Sequence, residues 1–272
     1  MRRLSGWGRG GWTGLIVIIS MASVTRGLSA QDLSRRIAEM RNGTVRFEYA
    51  AMEGVCGNGR DGIQVRRAKG AGRIVTNMSV GQKEWENDCE SGPVRIVLDR
   101  RNGRVVDVRA YVGGRWRGSA DLDLGTVSPV AASDYLLGLA ETADEEVAKD
   151  ALFPATVAEG VTAWPRLLGI AKDARRPREV RNSAVFWVSQ AAGEEATKGL
   201  REIVDEPEAD REVRKSAVFA LSQRPKDESV PALIKIAKTH RDAEMRKTAI
   251  FWLGQSGDAR AIAYFEDVLL RP

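Results

Sequence analysis

Apolar residues along the second half of the chain recur at helical spacing. Val180, Ala184, Trp187 and Val188 share one face of a helix, and Leu200, Ile203 and Val204 share one face of the next. The first half follows a different rule. Val45, Phe47 and Tyr49 alternate with Arg46 and Glu48, the period-two pattern of a half-buried strand. Short runs of the same kind occupy 63–65, 73–78 and 94–99, and residues 31–40 read as a short amphipathic helix. The clearest hairpin pairs 94–99 with 105–111 across Asn102-Gly103, because Asn-Gly supplies the positive φ angles of a tight turn. The pattern predicts an α+β chain: a small, mainly antiparallel β-rich unit over 31–117, a linker and capping helix over 118–143 beginning at Ser128-Pro129, and a helical array over 144–272.

That array is repetitive. Residues 178–190 and 211–223 agree at ten of thirteen positions with a period of 33, a third copy begins at Glu244, and a degenerate one begins at Glu146. The second halves keep phase through Leu167, Leu200, Leu233 and Phe265 and through Ile170, Ile203, Ile236 and Val268. Four two-helix units follow, each able to bury its stripe only against its partner and its neighbours. Asp144, Asp210 and Asp242 stand where N-caps are needed, and Pro165 and Pro231 stand near the expected starts of second helices.

The stretch from Asp242 to Leu269, with Met245-Arg246, Ala249, Leu253-Gly254, Gly257-Asp258, Ile262 and Phe265, resembles HEAT repeats, in the short form found in phycobilisome-lyase-like proteins. The Trp/Gly/Tyr pattern of tetratricopeptide repeats and the Thr-Pro-Leu-His of ankyrin repeats are missing. The resemblance covers about half of the chain. It implies a right-handed α-solenoid that in most relatives is a binding scaffold and in a minority attaches or removes bilin chromophores. The β-rich region carries no such resemblance.

Two features of the array bear on function. Phe186, Phe219 and Phe251 lie about 120° from the centre of the core stripe at 100° per residue, beside Gln190, Gln223 and Gln255 and beside Glu179, Glu212 and Glu244. This aromatic ridge either binds an extended partner or packs adjacent repeats together, and packing is the commoner use of such a ridge. Arg181, Arg214 and Arg246 are expected to reach neighbouring caps or carbonyls.

Chemistry is sparse. With one histidine, His240, and two cysteines, Cys56 and Cys89, a Cys/His zinc centre would need nearly all of them. His240 has no serine or cysteine nucleophile beside it in a known motif and reads as a loop residue. Gly57-Asn58-Gly59-Arg60-Asp61-Gly62 fits G-x-G-x-x-G, but a strand rather than a helix follows, so it reads as a turn. Asn42-Gly43-Thr44 and Asn77-Met78-Ser79 fit the glycosylation pattern. The Arg-rich composition, 32 arginines against ten lysines, suits a GC-rich bacterium in which both would be chance matches.

Residues 1–30 carry Arg2, Arg3 and Arg9, an apolar run around Leu15 to Ile19, and Leu28-Ser29-Ala30 before Gln31, the layout of a cleaved secretory signal peptide. Ser20, Ser23 and Arg26 interrupt the run, which argues against a stable membrane span. Export would place Cys56 and Cys89 in an oxidising compartment, where a disulfide closing that loop contributes roughly 3 to 4 kcal/mol. It also changes the charge. The formal +5 of the whole chain loses four arginines and no acids with the leader, leaving 38 basic against 37 acidic residues. Neither half then has the sustained positive stripe of a nucleic-acid binder. The sequence reads as an exported, periplasmic or extracellular, non-catalytic adaptor for a protein or peptide, with no cofactor. A tetrapyrrole-handling lyase-like enzyme and an envelope sensor are the rival readings.

Overall fold

In the computed structural model, residues 29–60, 62–65, 74–77, 89–191 and 193–270 are described. The expected leader lies outside them except for its last two residues. Ser29 is the N-cap of α1 (Ala30–Glu39), its hydroxyl oxygen accepting the Asp32 amide, so this helix begins slightly ahead of Gln31.

Among the described residues eight strands follow: β1 (Gly43–Tyr49), β2 (Val55–Gly57), β3 (Gly62–Val65), β4 (Ile74–Asn77), β5 (Glu90–Ser91), β6 (Val94–Arg101), β7 (Arg104–Val112) and β8 (Leu122–Thr126). They form two four-stranded sheets, ordered β7-β6-β1-β8 and β4-β3-β2-β5. The expected hairpin is β6–β7, with Asn102 at φ 51° and Gly103 at φ 79°. The glycine-rich motif after Cys56 is the β2–β3 connection, in which the Arg60 amide donates to the Asn58 side chain. Asp61 of that motif lies outside the described residues. Cys56 on β2 is bonded to Cys89, just ahead of β5, with 5.2 Å between Cα atoms.

The 118–143 stretch holds more than a linker. β8 runs parallel to β1, with Val45 opposite Leu122, so the main sheet is mixed and extends to Thr126. Only Leu124 of β8 is fully buried, and that weak apolar signal hides the strand in the sequence. Polar side chains reinforce its backbone pairing with β1: Arg46 meets Asp123 at 2.6 Å, and the Thr44 amide donates to Asp121 at 2.8 Å.

Nine further helices complete the described residues: α2 (Pro129–Thr142), α3 (Glu145–Thr156), α4 (Trp164–Lys172), α5 (Arg178–Gln190), α6 (Glu194–Asp205), α7 (Arg211–Ser222), α8 (Lys226–Thr239), α9 (Ala243–Gln255) and α10 (Ala259–Leu270). The odd-numbered helices from α3 onward stack in one layer and α4, α6, α8 and α10 in the other, with α2 packed on α3 and α4 and α1 packed on α2. Three of the turns from first to second helix use a glycine at positive φ, namely Gly160, Gly193 and Gly257. The α7–α8 turn uses Arg224-Pro225 instead, and Pro225 starts α8 early. Pro231 therefore stands inside α8 rather than at its beginning, while Pro165 does occupy the first turn of α4. Asp227, whose carbonyl loses its amide partner to Pro231, is exposed in the first turn of α8.

The sheet and the helices share one continuous core. Phe47 meets Tyr135 of α2 edge-on, with ring centroids 6.3 Å apart. The Tyr49 hydroxyl donates to the Pro154 carbonyl at 2.6 Å, and beyond it the Met52 amide donates to Val157 and the Glu159 amide to Ala50.

Titrating the denatured, unreduced protein for thiols is expected to find none; two would show that Cys56 and Cys89 are not bonded. Asp150 on α3 gives a second test. Burial, with like charge from Glu146 and from Asp107 on β7, pushes its carboxyl up to about 6 from an ordinary value of 3.8. Because the folded value is the higher one, the site's contribution to stability is full below the unfolded value and is lost as pH rises through about 6. Asp150→Asn should raise stability near neutral pH by about 1 kcal/mol, allowing for screening at a half-exposed group, and the gain should vanish at about pH 3.5. Urea melts at the two pH values check both halves.

Candidate partner-binding face

The first helix of each repeat is held by its neighbours through charge as well as packing. Asp210 and Asp242 cap α7 and α9, accepting the Glu212 and Glu244 amides at 2.9 Å. Asp144 precedes α3 at the matching place without a side-chain cap bond. The buried Arg214 guanidinium donates to Asp242 of the next repeat at 2.9 Å, and Arg181 lies 3.9 Å from Asp210 in the same relation. Arg246 donates to the carbonyls of His240 and Arg241. These three arginines make the expected ladder. The Glu244 amide and the nearby Arg214 hold the Asp242 carboxyl below the usual carboxylate range, so the cap stays charged.

His240 is more firmly placed than a loop residue. It is the buried C-cap of α8, its Nδ1 accepting the Asp242 amide at 3.0 Å and its Nε2 facing the Val204 carbonyl at 3.2 Å. Both ring nitrogens are engaged in joining α6, α8 and α9.

With that scaffold fixed, one side of α5, α7 and α9 turns to solvent. Phe186, Phe219 and Phe251 are 37%, 37% and 57% exposed. Their rings are not free-standing. Phe186 meets Trp187 at 4.9 Å, and Trp187 stacks on Phe153 of α3 at 4.5 Å; Phe251 meets Trp252 at 5.0 Å, and Trp252 lies against Phe219 of α7 at 4.8 Å. Each ring thus packs on one side and faces water on the other, which combines the two readings of the ridge. Gln223 and Gln255 are exposed beside it and Gln190 is partly so. Gln190 and Gln223 each donate to the preceding serine, Ser189 and Ser222, whose hydroxyls donate back to the Phe186 and Phe219 carbonyls.

The sequence places Trp187 in the core stripe and leaves out its role as a wedge beneath the ridge. The signal was present: the position after each phenylalanine reads Trp187, Ala220, Trp252, and only the large residues can reach the preceding helix. The result is two aromatic trios, one on α3 and α5 and one on α7 and α9, separated at Ala220.

A family model for HEAT repeats matches residues 197–272. The segment consists of HEAT repeats. The match covers α7 to α10 and most of α6, and the β-rich region matches no family. Comparison with curated proteins finds no match. The 33-residue register carries the same helix-pair design back from the matched HEAT segment to α3. No helix among the described residues is long and apolar enough to cross a membrane.

Phe219→Ser should leave one cooperative unfolding transition and cost about 1 to 2 kcal/mol, less than the about 3 to 5 typical of emptying a core phenylalanine site. A chemical melt followed by circular dichroism checks this, and loss of the cooperative transition would place Phe219 in the core.

Proposed function

We propose that the protein is an exported, non-catalytic adaptor whose HEAT array holds an extended protein or peptide segment along α5, α7 and α9. The observation that carries this reading is the row of phenylalanines at repeat spacing, each braced by a tryptophan or a helix face yet open to water. Braced aromatic rings lose little entropy on binding and offer large apolar contact, the combination found at interaction hot spots. Glu179, Glu212 and Glu244 and the glutamines beside the rings supply a polar rim. In this proposal residues 1–30 are a cleaved leader, the working compartment is the periplasm or the exterior, and the β-rich unit covers the first repeat.

Crosslinking from a photoreactive residue at position 223 of the full mature chain, in its native envelope, should recover one reproducible protein, and Phe251→Ser should lower the yield several-fold. No reproducible protein, or yields indifferent to Phe251, would overturn the proposal. Saturable spectral binding of a bilin or haem would favour the enzyme reading instead.

A further inference from the structure

A second site lies away from the aromatic face, at the edge where α6 and α8 end and hand over to the next first helices. A cleft of about 420 Å³ opens there, with Arg201, Lys235 and Arg241 around it and Asp205 as the acidic residue in its lining. Ile236 and Pro207 add apolar surface to its lining.

Some exposed cations of the array are paired: Lys172 with Glu202, Lys215 with Glu212, Lys247 with Glu244, Arg260 with Asp258. Among the described residues, Arg201 has no ion pair or side-chain hydrogen bond, and neither does the Lys235 ammonium. Arg241 donates only to the Asp205 backbone carbonyl, at 3.3 Å. The Asp205 carboxylate stands 3.7 Å from His240 Nε2 and leaves the three cations in excess. His240 fixes the cleft without being available to a ligand, since its Nδ1 accepts the Asp242 amide and its Nε2 faces the Val204 carbonyl.

We propose that this cleft binds carboxylates of an acidic peptide segment. Unpaired cations gathered around one cleft concentrate positive potential, and an arginine fork matches a carboxylate in two bonds. The surroundings set the length of ligand it accepts. Asp205 in the lining and the exposed Glu206 and Glu208 that follow it in the chain keep the positive field local, which disfavours a long polyanion such as nucleic acid. One or two side-chain carboxylates, with an apolar neighbour over Ile236 and Pro207, fill the site. The inference does not rest on the aromatic face.

The test uses the full mature chain and a fluorescein-labelled, C-terminally amidated Leu-Glu-Glu-Leu peptide, followed by anisotropy. Saturable binding is expected, weakened about tenfold or more in the double variant Arg201→Gln/Lys235→Gln, reduced by added salt, and unchanged in Phe219→Ser. Both cleft side chains lack partners in the fold, and a thermal melt of the double variant verifies that it is intact. No saturable binding, or equal binding by an intact double variant, would overturn the proposal. Displacement of the peptide by inorganic phosphate at equal concentration would also overturn it, by assigning the cleft to phosphate. Because Phe219→Ser is carried in parallel, loss of this site and loss of the adaptor reading are read separately.

Discussion

A stack of helix pairs leaves its first pair with one uncovered face, and the N-terminal half of this protein is built to cover it. The decisive contact is small. In the last turn of α3 the Pro154 carbonyl, which accepts a long bond of 3.4 Å from the Val157 amide, takes a hydrogen from the Tyr49 hydroxyl at the end of β1 at 2.6 Å. Burial pushes the Tyr49 phenol well above its ordinary value, so it stays a donor at any physiological pH. From that point the two backbones run side by side through Ala50–Met52 and Val157–Glu159. Val45 and Phe47 on the same strand complete the seal, and the core passes from sheet to helices without a break. The β-rich unit is therefore part of the solenoid's architecture rather than a bead joined to it.

How much of this was legible depended on whether a feature repeats. The 33-residue register gave the helix pairs, the caps at Asp210 and Asp242, and the arginines that reach them, because a physical requirement met several times leaves several copies of its signature. Asn102-Gly103 was legible for another reason: few dipeptides supply two positive φ angles. What occurs once was harder to see. β8 escaped because its partner is the distant β1 and its anchors, Asp121 and Asp123, are polar. Pro231 was misplaced because one turn, at Arg224-Pro225, departs from the glycine solution used at the others.

The two candidate surfaces divide along the same line. The phenylalanine row is periodic and could be located from the sequence, although its bracing by Trp187 and Trp252 needed the fold. The cleft could not be located. Arg201 and Lys235 are 34 residues apart, out of step with the repeat, and a charge count by helix sets the acids of α6 against the bases of α8. Only the packing of the helix ends gathers Arg201, Lys235 and Arg241 into one lining.

Arg224 gives the array a mechanical character that its repeat pattern conceals. Its buried guanidinium donates to the carbonyls of Ser189, Ala191 and Gly193 and pairs with Glu228, clasping the end of α5 to the start of α8. This occurs at the junction where Ala220 replaces tryptophan. The α3/α5 and α7/α9 junctions combine aromatic contact with a single arginine bond each, Arg176 to the Ala143 carbonyl and Arg214 to Asp242, whereas the middle junction gathers several directional bonds on one guanidinium. In a structure where each unit feels only its neighbours, bending stiffness follows the individual joints. The joints of the stack are thus unlike one another: the middle one is set by several directional bonds on one guanidinium, and the flanking ones add aromatic ring contact to fewer such bonds.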